Sequence, residues 1–171
     1  MTAKVFSVNI SKNKGEPKNM VKSALLKEGH GFDGDAHAGE NSRQVSLLAV
    51  EEIEKLEDSL QGKDIDLRPG IFAENITTEG IDLSNVKAGD KMNIGSDVIL
   101  KVTQIGKECH AGCSILRKAG RCIMPKSGIF AQVEKGGIVR VGDRIALQKQ
   151  NKHLNVLFSA VRASFANKEV F

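Results

Sequence analysis

The sequence predicts a mainly β fold, because short apolar runs alternate with glycine-marked turns along most of the chain. The middle of the sequence places six turn residues between such runs: Pro69, Gly70, Gly80, Gly89, Gly95 and Gly106. Short strands with regular turn signals are typical of a β-barrel or a β-sandwich. The chain has 171 residues, 40% of them hydrophobic, which suits one domain that buries roughly two-thirds of its unfolded surface. We assign residues 1–148 to this domain and residues 149–171 to a C-terminal tail.

The N-terminal third is predicted to contain two strands and a helix. Residues Lys4–Ile10 (KVFSVNI) are rich in Val, Ile and Phe, which predicts a first strand, and a loop at residues 12–19 ends it. A short apolar segment at residues 23–26 precedes GHGFDGDAHAGENSRQ, whose composition is typical of a polar surface loop. The apolar run VSLLA follows. In AVEEIEKLEDSL, apolar residues recur at helical spacing, which predicts a helix that ends near Gly62.

Two segments in the second half repeat one pattern. NVKAGDKMNIG and GIVRVGDRIAL each pass from an apolar run through Gly-Asp into a strand. A tight turn is predicted in both, because glycine accepts a positive φ and aspartate supplies a side-chain acceptor. The runs VILKVTQI and GIFAQVEKGG between them are further strands, interrupted by a short helix or turn at residues 113–119. The tail is predicted to form a docking helix, with a junction to another unit as the alternative.

Composition argues against several classes of function. The 25 Lys and Arg residues against 21 Asp and Glu give a net charge of +4, and the chain has no Trp or Tyr. The charge is dispersed and stacking side chains are few, so we expect no nucleic-acid partner. No apolar run approaches the roughly 20 residues of a membrane-spanning helix, and the N-terminus lacks the pattern of a secretory signal. We therefore expect a cytoplasmic protein with no membrane partner.

All three cysteines lie close together in the segment ECHAGCSILRKAGRC, and a reducing compartment would keep them as thiols. One interpretation is a structural zinc site made by Cys109, His110, Cys113 and Cys122. The second ligand pair typical of such sites is missing, and adjacent Cys109 and His110 side chains would diverge. We therefore predict no resident metal ion of this kind.

The second interpretation is a reactive thiol at Cys122. This residue lies in a predicted loop, and loops on a rigid scaffold commonly carry functional groups. Lys107 and Arg121 are close in sequence, and cationic neighbours favour the reactive thiolate and hold anions. The alternative for each cysteine is a small buried hydrophobic residue.

Polar residues in two further segments are candidates for a binding site. Asp35 and His37 lie in a D-x-D-x-H pattern, which lacks the twelve-residue ligand ladder of an EF-hand. Arg43 precedes an apolar run and can hold a phosphate or carboxylate in a bidentate manner. Glu74 and Asn75 stand in the strand-like run IFAENIT, either as an outward-facing pair or as the lining of a polar cavity.

Seven segments together resemble the MOSC domain family, named for the C-terminal domain of molybdenum-cofactor sulfurase. In chain order they are GFDGDAHAG, RQVSLLA, RPGIFAENI, VKAGDKMNIG, VTQIGKECHAGC, GRCIMPKSGIFA and GGIVRVGDRIAL. The resemblance implies a β-barrel of mixed strands with a few short helices, and a role around the molybdenum cofactor. Cys122 matches a family cysteine proposed to carry sulfur as a persulfide or to ligate molybdenum, and Cys109 resembles a second family position.

The resemblance also implies which residues shape the pocket: Gly34, Asp35, His37, Arg43, Glu74 and Asn75. Lys107 and Arg121 are expected to hold negative charge, and Arg43 to contact the phosphate of the pterin. A thiol suits molybdenum and cationic side chains suit phosphate, which is a physical reason for these residue types to share one pocket.

The leading hypothesis is a stand-alone, bacterial-type member of the family that binds molybdopterin transiently and transfers sulfur, or molybdenum, through Cys122. Its partners would be a sulfur-donating desulfurase and an acceptor molybdoenzyme. Larger sulfurases contain a pyridoxal-phosphate domain for which this sequence has no room, so no pyridoxal phosphate is expected. The alternatives are a molybdenum-dependent reductase of N-hydroxylated compounds, a module that presents the cofactor without chemistry of its own, and a structural β-barrel with buried thiols.

Overall fold

The structure, a computed structural model, describes residues 2–60, 67–108 and 121–150. These residues form a mainly β fold, as predicted. The strands are β1 (Lys4–Ile10), β2 (Asn19–Val21), β3 (Ser23–Lys27), β4 (Gly31–Phe32), β5 (Val45–Ala49), β6 (Ile76–Glu79), β7 (Lys91–Ile94), β8 (Val98–Ile105), β9 (Ile129–Lys135), β10 (Gly137–Arg140) and β11 (Ile145–Gln148). The helices are α1 (Val50–Ser59) and α2 (Met124–Ser127), with a 3-10 turn at Leu83–Asn85.

The strands form two sheets. The larger has eight strands in the order β11-β7-β8-β9-β5-β6-β1-β2, and the smaller has three in the order β10-β3-β4. The pairing of β5 with β6 is parallel and the other ladders are antiparallel, so the predicted mixture of strand directions is confirmed.

The predicted closed barrel is not confirmed. Over the described residues the larger sheet runs from β11 to β2, and no continuous ladder joins its two ends. The second half of β1 pairs with β2, so only the start of β1 faces the far edge of the sheet. There a single antiparallel bridge joins Lys4 and Arg144, and the Val5 N–H donates to the Asp143 carbonyl over 2.8 Å.

The apolar core divides into two clusters on opposite faces of β5 and β9. Successive side chains of a strand point to opposite faces. Accordingly Leu47 lies in the larger cluster between the sheets, whereas Leu48 lies in a smaller cluster covered by α1. On β9, Ala131 and Phe130 divide in the same way. We call the second cluster, built on Leu48 and Phe130, the outer cluster.

Periodicity located most elements correctly. Strands β1 and β8 have the predicted bounds, and α1 buries Ile53 and Leu56 as its spacing requires. The run IFAENIT, however, is not one strand. Only its end belongs to β6, because Gly70 (φ +86°) and Ala73 (φ +62°) turn the preceding backbone out of the extended conformation.

The two repeated Gly-Asp segments form the predicted tight turns. Gly89 and Gly142 have φ of +96° and +91°. In each turn the backbone N–H three residues before the aspartate donates to its side chain, over 3.0 Å at Asp90 and 2.8 Å at Asp143.

Helix α1 ends at Ser59, three residues before the predicted stop at Gly62. Two sequence predictions lie outside the described residues: the short helix or turn at residues 113–119, and the docking helix of the tail beyond residue 150. In the ranges that the structure covers, none of the helices has the length and apolarity needed to cross a bilayer.

We expect Leu47→Ala to lower the free energy of unfolding by about 2–5 kcal/mol, because it deletes a side chain with no solvent exposure from the larger cluster. Leu25→Ala is the matched control, since Leu25 is 43% exposed on β3, and its cost should stay below about 1 kcal/mol. Denaturant unfolding followed by far-UV circular dichroism measures both. Equal losses would contradict this assignment of the core.

Candidate functional site

The sequence-predicted site residues fall into two groups joined by one loop. Asp35 and His37, which follow β4, contact a buried lysine, Lys18, which directly precedes β2. Arg43, Lys107 and Cys122 lie around the outer cluster. The loop at residues 67–75, called the bridging loop, contacts both groups and carries Glu74 and Asn75.

Lys18 makes three polar contacts with no exposure to solvent. Its Nζ atom lies 2.5 Å from Asp35 Oδ2, 3.2 Å from His37 Nδ1 and 3.3 Å from Ser11 Oγ. The side chain of Asp35 is 1% exposed, whereas that of His37 is 37% exposed. The buried ion pair of Lys18 and Asp35 therefore reaches the protein surface through the partly exposed His37.

The Asp35 carboxylate is held by more than the lysine. Its Oδ2 atom accepts the Ser11 N–H and its Oδ1 atom accepts the His37 N–H, each over 3.0 Å. Burial raises the pKa of Asp35, but hydrogen bonds with His37 and Lys18 outweigh it, so the pKa lies well below its ordinary value. Burial lowers the pKa of Lys18, and its hydrogen bond to Asp35 counteracts part of that shift. Asp35 is thus ionised at neutral pH, next to a cationic partner.

The bridging loop attaches directly to the backbone of Lys18. The Lys18 N–H donates to the Gly70 carbonyl over 2.8 Å, and Arg68 Nη1 donates to the Lys18 carbonyl over 3.3 Å. A Cβ atom on Gly70 would lie 2.5 Å from that carbonyl oxygen, so only glycine fits. Ala73 holds a left-handed backbone conformation that is uncommon for a residue with a side chain. Strain of this kind is often found at functional sites.

Glu74 and Asn75 are both buried, so the outward-facing interpretation of this pair is wrong. Glu74 Oε1 accepts the Gly70 N–H over 2.5 Å and the Thr77 hydroxyl over 3.0 Å. Among the residues described, Glu74 Oε2 has no hydrogen-bond partner. Burial raises the pKa of Glu74 above its ordinary value. Its carboxyl group therefore binds a proton more readily than an exposed glutamate.

Asn75 connects strands at the base of the bridging loop. Its Oδ1 atom accepts the Ser46 N–H over 3.1 Å, and its Nδ2 atom donates to the Asn9 carbonyl over 3.3 Å. The C-terminal end of the loop is therefore fixed to β5 and β1.

The second group places two cations over one aromatic ring. The Arg43 Cζ atom lies 5.9 Å and the Lys107 Nζ atom 6.0 Å from the centre of the Phe130 ring, within the range of cation–π contacts. Phe130 is buried, and Cys122 is half-buried against the same outer cluster. A thiol, two cations and an aromatic floor thus lie on one face of the sheet.

Local backbone bonds position the two cations. The Arg43 N–H donates to Asn41 Oδ1 over 2.7 Å, and the Lys107 N–H donates to the Pro125 carbonyl over 3.3 Å. Arg43 is exposed and Lys107 is half-buried. Since Pro125 belongs to α2, the helix that follows Cys122 also sets the position of Lys107.

Arg121 is exposed and directly precedes Cys122. Cys109, together with His110 and Cys113 of the zinc interpretation, lies outside the described residues. In the remaining part of the chain, no group of three His, Cys, Asp or Glu side chains is close enough to hold a metal ion.

Sequence reasoning missed Lys18. It falls in a predicted loop with Lys12 and Lys14, both of which are exposed, whereas Lys18 has no exposure. Its burial depends on Asp35 and Gly70, which are distant in sequence, so no local pattern distinguishes it.

A cavity of about 660 Å³ lies elsewhere, between the start of α1, the 3-10 turn and α2. Its wall includes charged side chains such as Glu51, Lys55 and Lys126 as well as the apolar Ile105 and Ile129. None of the sequence-predicted site residues lines it.

Comparison with known proteins gives one family and several similar folds. The model of the MOSC domain matches residues 34–146. The crystal structure of the YuaD protein from Bacillus subtilis is 22% identical, with a TM-score of 0.73 over 88% of this chain and 98% of YuaD. YiiM from Geobacillus stearothermophilus is 18% identical, with a TM-score of 0.67 over 98% of this chain and 92% of YiiM. YiiM from Escherichia coli is 19% identical, with a TM-score of 0.66 over 88% of this chain and 71% of that protein. No curated protein matches the sequence significantly.

We expect Asp35→Asn to cost about 3–5 kcal/mol of unfolding free energy, because it leaves the Lys18 ammonium buried without its counter-charge. The double variant Lys18→Met/Asp35→Asn should lose less than the sum of the two single variants, by about 1 kcal/mol or more. Denaturant unfolding of all four proteins measures this coupling. The exposed pair of Lys27 and Asp33, 2.7 Å apart, is the control and should show no measurable coupling. Additive losses at Lys18 and Asp35 would contradict a buried ion pair.

We expect Glu74 to make stability fall as the pH rises. Its folded pKa is raised, so the folded state binds more protons than the unfolded state above the ordinary glutamate pKa of about 4.3. The loss begins there and continues up to the folded pKa. Glu74→Gln should flatten this part of the profile of unfolding free energy between pH 4.5 and 8, while Glu54→Gln, at an exposed position of α1, should leave it unchanged. A profile that Glu74→Gln does not alter would refute the assignment.

Proposed function

The chain belongs to the MOSC domain family, and from that premise we propose that it binds the molybdenum cofactor, or its pterin precursor, and carries sulfur on Cys122. MOSC domains are generally associated with binding of the molybdenum cofactor. The observation that supports a site in this chain is the placement of Cys122 on the outer cluster, where Arg43 and Lys107 flank the Phe130 ring.

The residues on this face fit the chemistry of the proposed ligand. Arg43 and Lys107 carry positive charge, which suits a phosphate, and Arg can bind it in a bidentate manner. The Phe130 ring offers an apolar surface beneath them. Cys122 is a soft donor of the type that thiophilic metals prefer. When bound, the cofactor would supply a molybdenum centre that accepts sulfur ligands.

Cys122 would take up sulfur by thiol–disulfide chemistry. Its thiolate attacks the terminal sulfur of a persulfide on a donor protein, and a new S–S bond forms at Cys122. The S–S bond of the donor breaks, and the donor thiolate leaves with the bonding electron pair. The products are a Cys122 persulfide and a donor thiolate, so the exchange needs no external oxidant. The cations Lys107 and Arg121, next to this segment, would favour the thiolate over the thiol.

The remaining predicted site residues would contact the ligand or support the bridging loop. His37 is the partly exposed member of the Lys18 group and would contact an anionic part of the ligand. Glu74 and Asn75 have almost no exposure and would support the bridging loop. A sulfur-donating desulfurase and an acceptor molybdoenzyme are the partners that this role requires.

We expect Cys122→Ser to abolish labelling of the protein by a cysteine desulfurase supplied with ³⁵S-cysteine, because a hydroxyl forms no persulfide. Cys113→Ser is the control and should retain the label. Mass spectrometry of the wild-type protein should find one added sulfur on the peptide that contains Cys122. Equal labelling of Cys122→Ser and the wild type would exclude Cys122 as the carrier.

Molybdenum and pterin analysis of the purified protein separates the related functions. Turnover of an N-hydroxylated substrate that requires bound cofactor and an electron donor would favour a reductase. A module that only presents the cofactor would be favoured by two results together: Cys122→Ser binds the cofactor as tightly as the wild type, and the wild type has no added sulfur.

A further inference from the structure

Each of the three N–H donors of the Lys18 ammonium group has a different acceptor nearby. An ammonium group has three N–H donors and no lone pair. The three polar atoms around Nζ are Asp35 Oδ2, His37 Nδ1 and Ser11 Oγ, at 2.5, 3.2 and 3.3 Å. The ionised carboxylate at the shortest of these distances favours the charged form of the amine.

This arrangement determines which nitrogen of His37 carries the proton. A donor without a lone pair can approach Nδ1 only if that nitrogen is unprotonated. Asp35 is the weaker partner of Nδ1, because its Oδ1 atom lies 3.7 Å away whereas Lys18 Nζ lies 3.2 Å away. That oxygen instead accepts the His37 backbone N–H over 3.0 Å. The neutral ring must therefore carry its proton on Nε2.

We propose that Lys18 is a positioning residue that fixes His37 as the Nε2-protonated tautomer and so aims an N–H donor at an oxyanion ligand. The Nδ1 edge of the ring faces two side chains with no more than 1% exposure. Because His37 is 37% exposed overall, we infer that its exposed part includes the opposite edge, which carries Nε2. A fixed donor of this kind recognises phosphate-type oxygens. The ligand half of this proposal rests on the proposed function, whereas the tautomer does not.

The tautomer is measured on the ligand-free, full-length protein labelled with ¹⁵N-histidine. Long-range ¹H–¹⁵N correlation at neutral pH distinguishes protonated from unprotonated ring nitrogens, and His37→Gln identifies the signals. We expect an unprotonated Nδ1 and a protonated Nε2 at His37. A proton on Nδ1, alone or in an imidazolium, would overturn the proposal. This experiment needs no altered Lys18, so poor folding of a variant cannot obscure it.

Lys18→Met tests whether the lysine is the cause. Without the ammonium group, Asp35 becomes the nearest partner of Nδ1, and we expect the proton of the ring to move to that nitrogen. Lys27→Met removes an exposed lysine from the neighbouring ion pair with Asp33 and should leave the His37 signals unchanged. Retention of the wild-type tautomer in a folded Lys18→Met protein would refute the causal role. Asp35→Asn is the second variant, and the Nε2 proton should persist in it because Lys18 still donates to Nδ1.

Titration with inorganic phosphate tests the ligand half. We expect the His37 Nε2 proton signal to shift in the wild type, and the apparent affinity to fall about tenfold in Lys18→Met, which corresponds to the loss of one hydrogen bond to a charged group. A His37 signal that phosphate does not move would overturn the donor role. Absence of sulfur on Cys122 would overturn the proposed function while leaving the tautomer result intact.

Discussion

A single ion pair, between Lys18 and Asp35, holds together the parts of the chain on which the candidate site depends. Burying two charges is costly, and such a pair persists only when each remaining donor and acceptor is satisfied. The carboxylate accepts three N–H bonds, from Lys18 and from the backbones of Ser11 and His37. The bridging loop is bonded in turn to the Lys18 backbone. Three parts of the chain that are distant in sequence, residues 11–18, residues 35–37 and the bridging loop, thus share one fixed geometry.

The candidate site also depends on the two faces of the larger sheet. Because side chains alternate along β5 and β9, the larger cluster occupies one face and the outer cluster the other. Phe130 is consequently part of a rigid strand and not of a loop, although its ring lies under Arg43 and Lys107. The long side chains of Arg43 and Lys107 can adjust to an anion, while the Phe130 ring beneath them keeps its position. The same cluster leaves Cys122 only half-buried.

Local patterns predicted the fold well and the site incompletely. The bounds of β1 and β8, the buried stripe of α1 and both Gly-Asp turns follow from the preferences of neighbouring residues. Lys18 and the burial of Glu74 do not, because each depends on partners that only the folded chain brings near. Closure of a barrel is equally non-local, since it depends on how the start of β1 meets the residues before β11. The assignment of Cys109 and of the tail remains a prediction from sequence.

The position of β5 in the sheet has a consequence for how the protein is made. Its parallel partner β6 follows soon after it in the chain. Its other neighbour is β9, in which Ala131 pairs with Val45 of β5. Strand β9 is synthesised much later than β5. Until β9 leaves the ribosome, one edge of a fully buried, apolar strand has no partner. Exposed edges of this kind favour aggregation and capture by chaperones. Since β9 also supplies Phe130, a nascent chain cannot engage a ligand on the outer cluster before this edge of β5 has been paired.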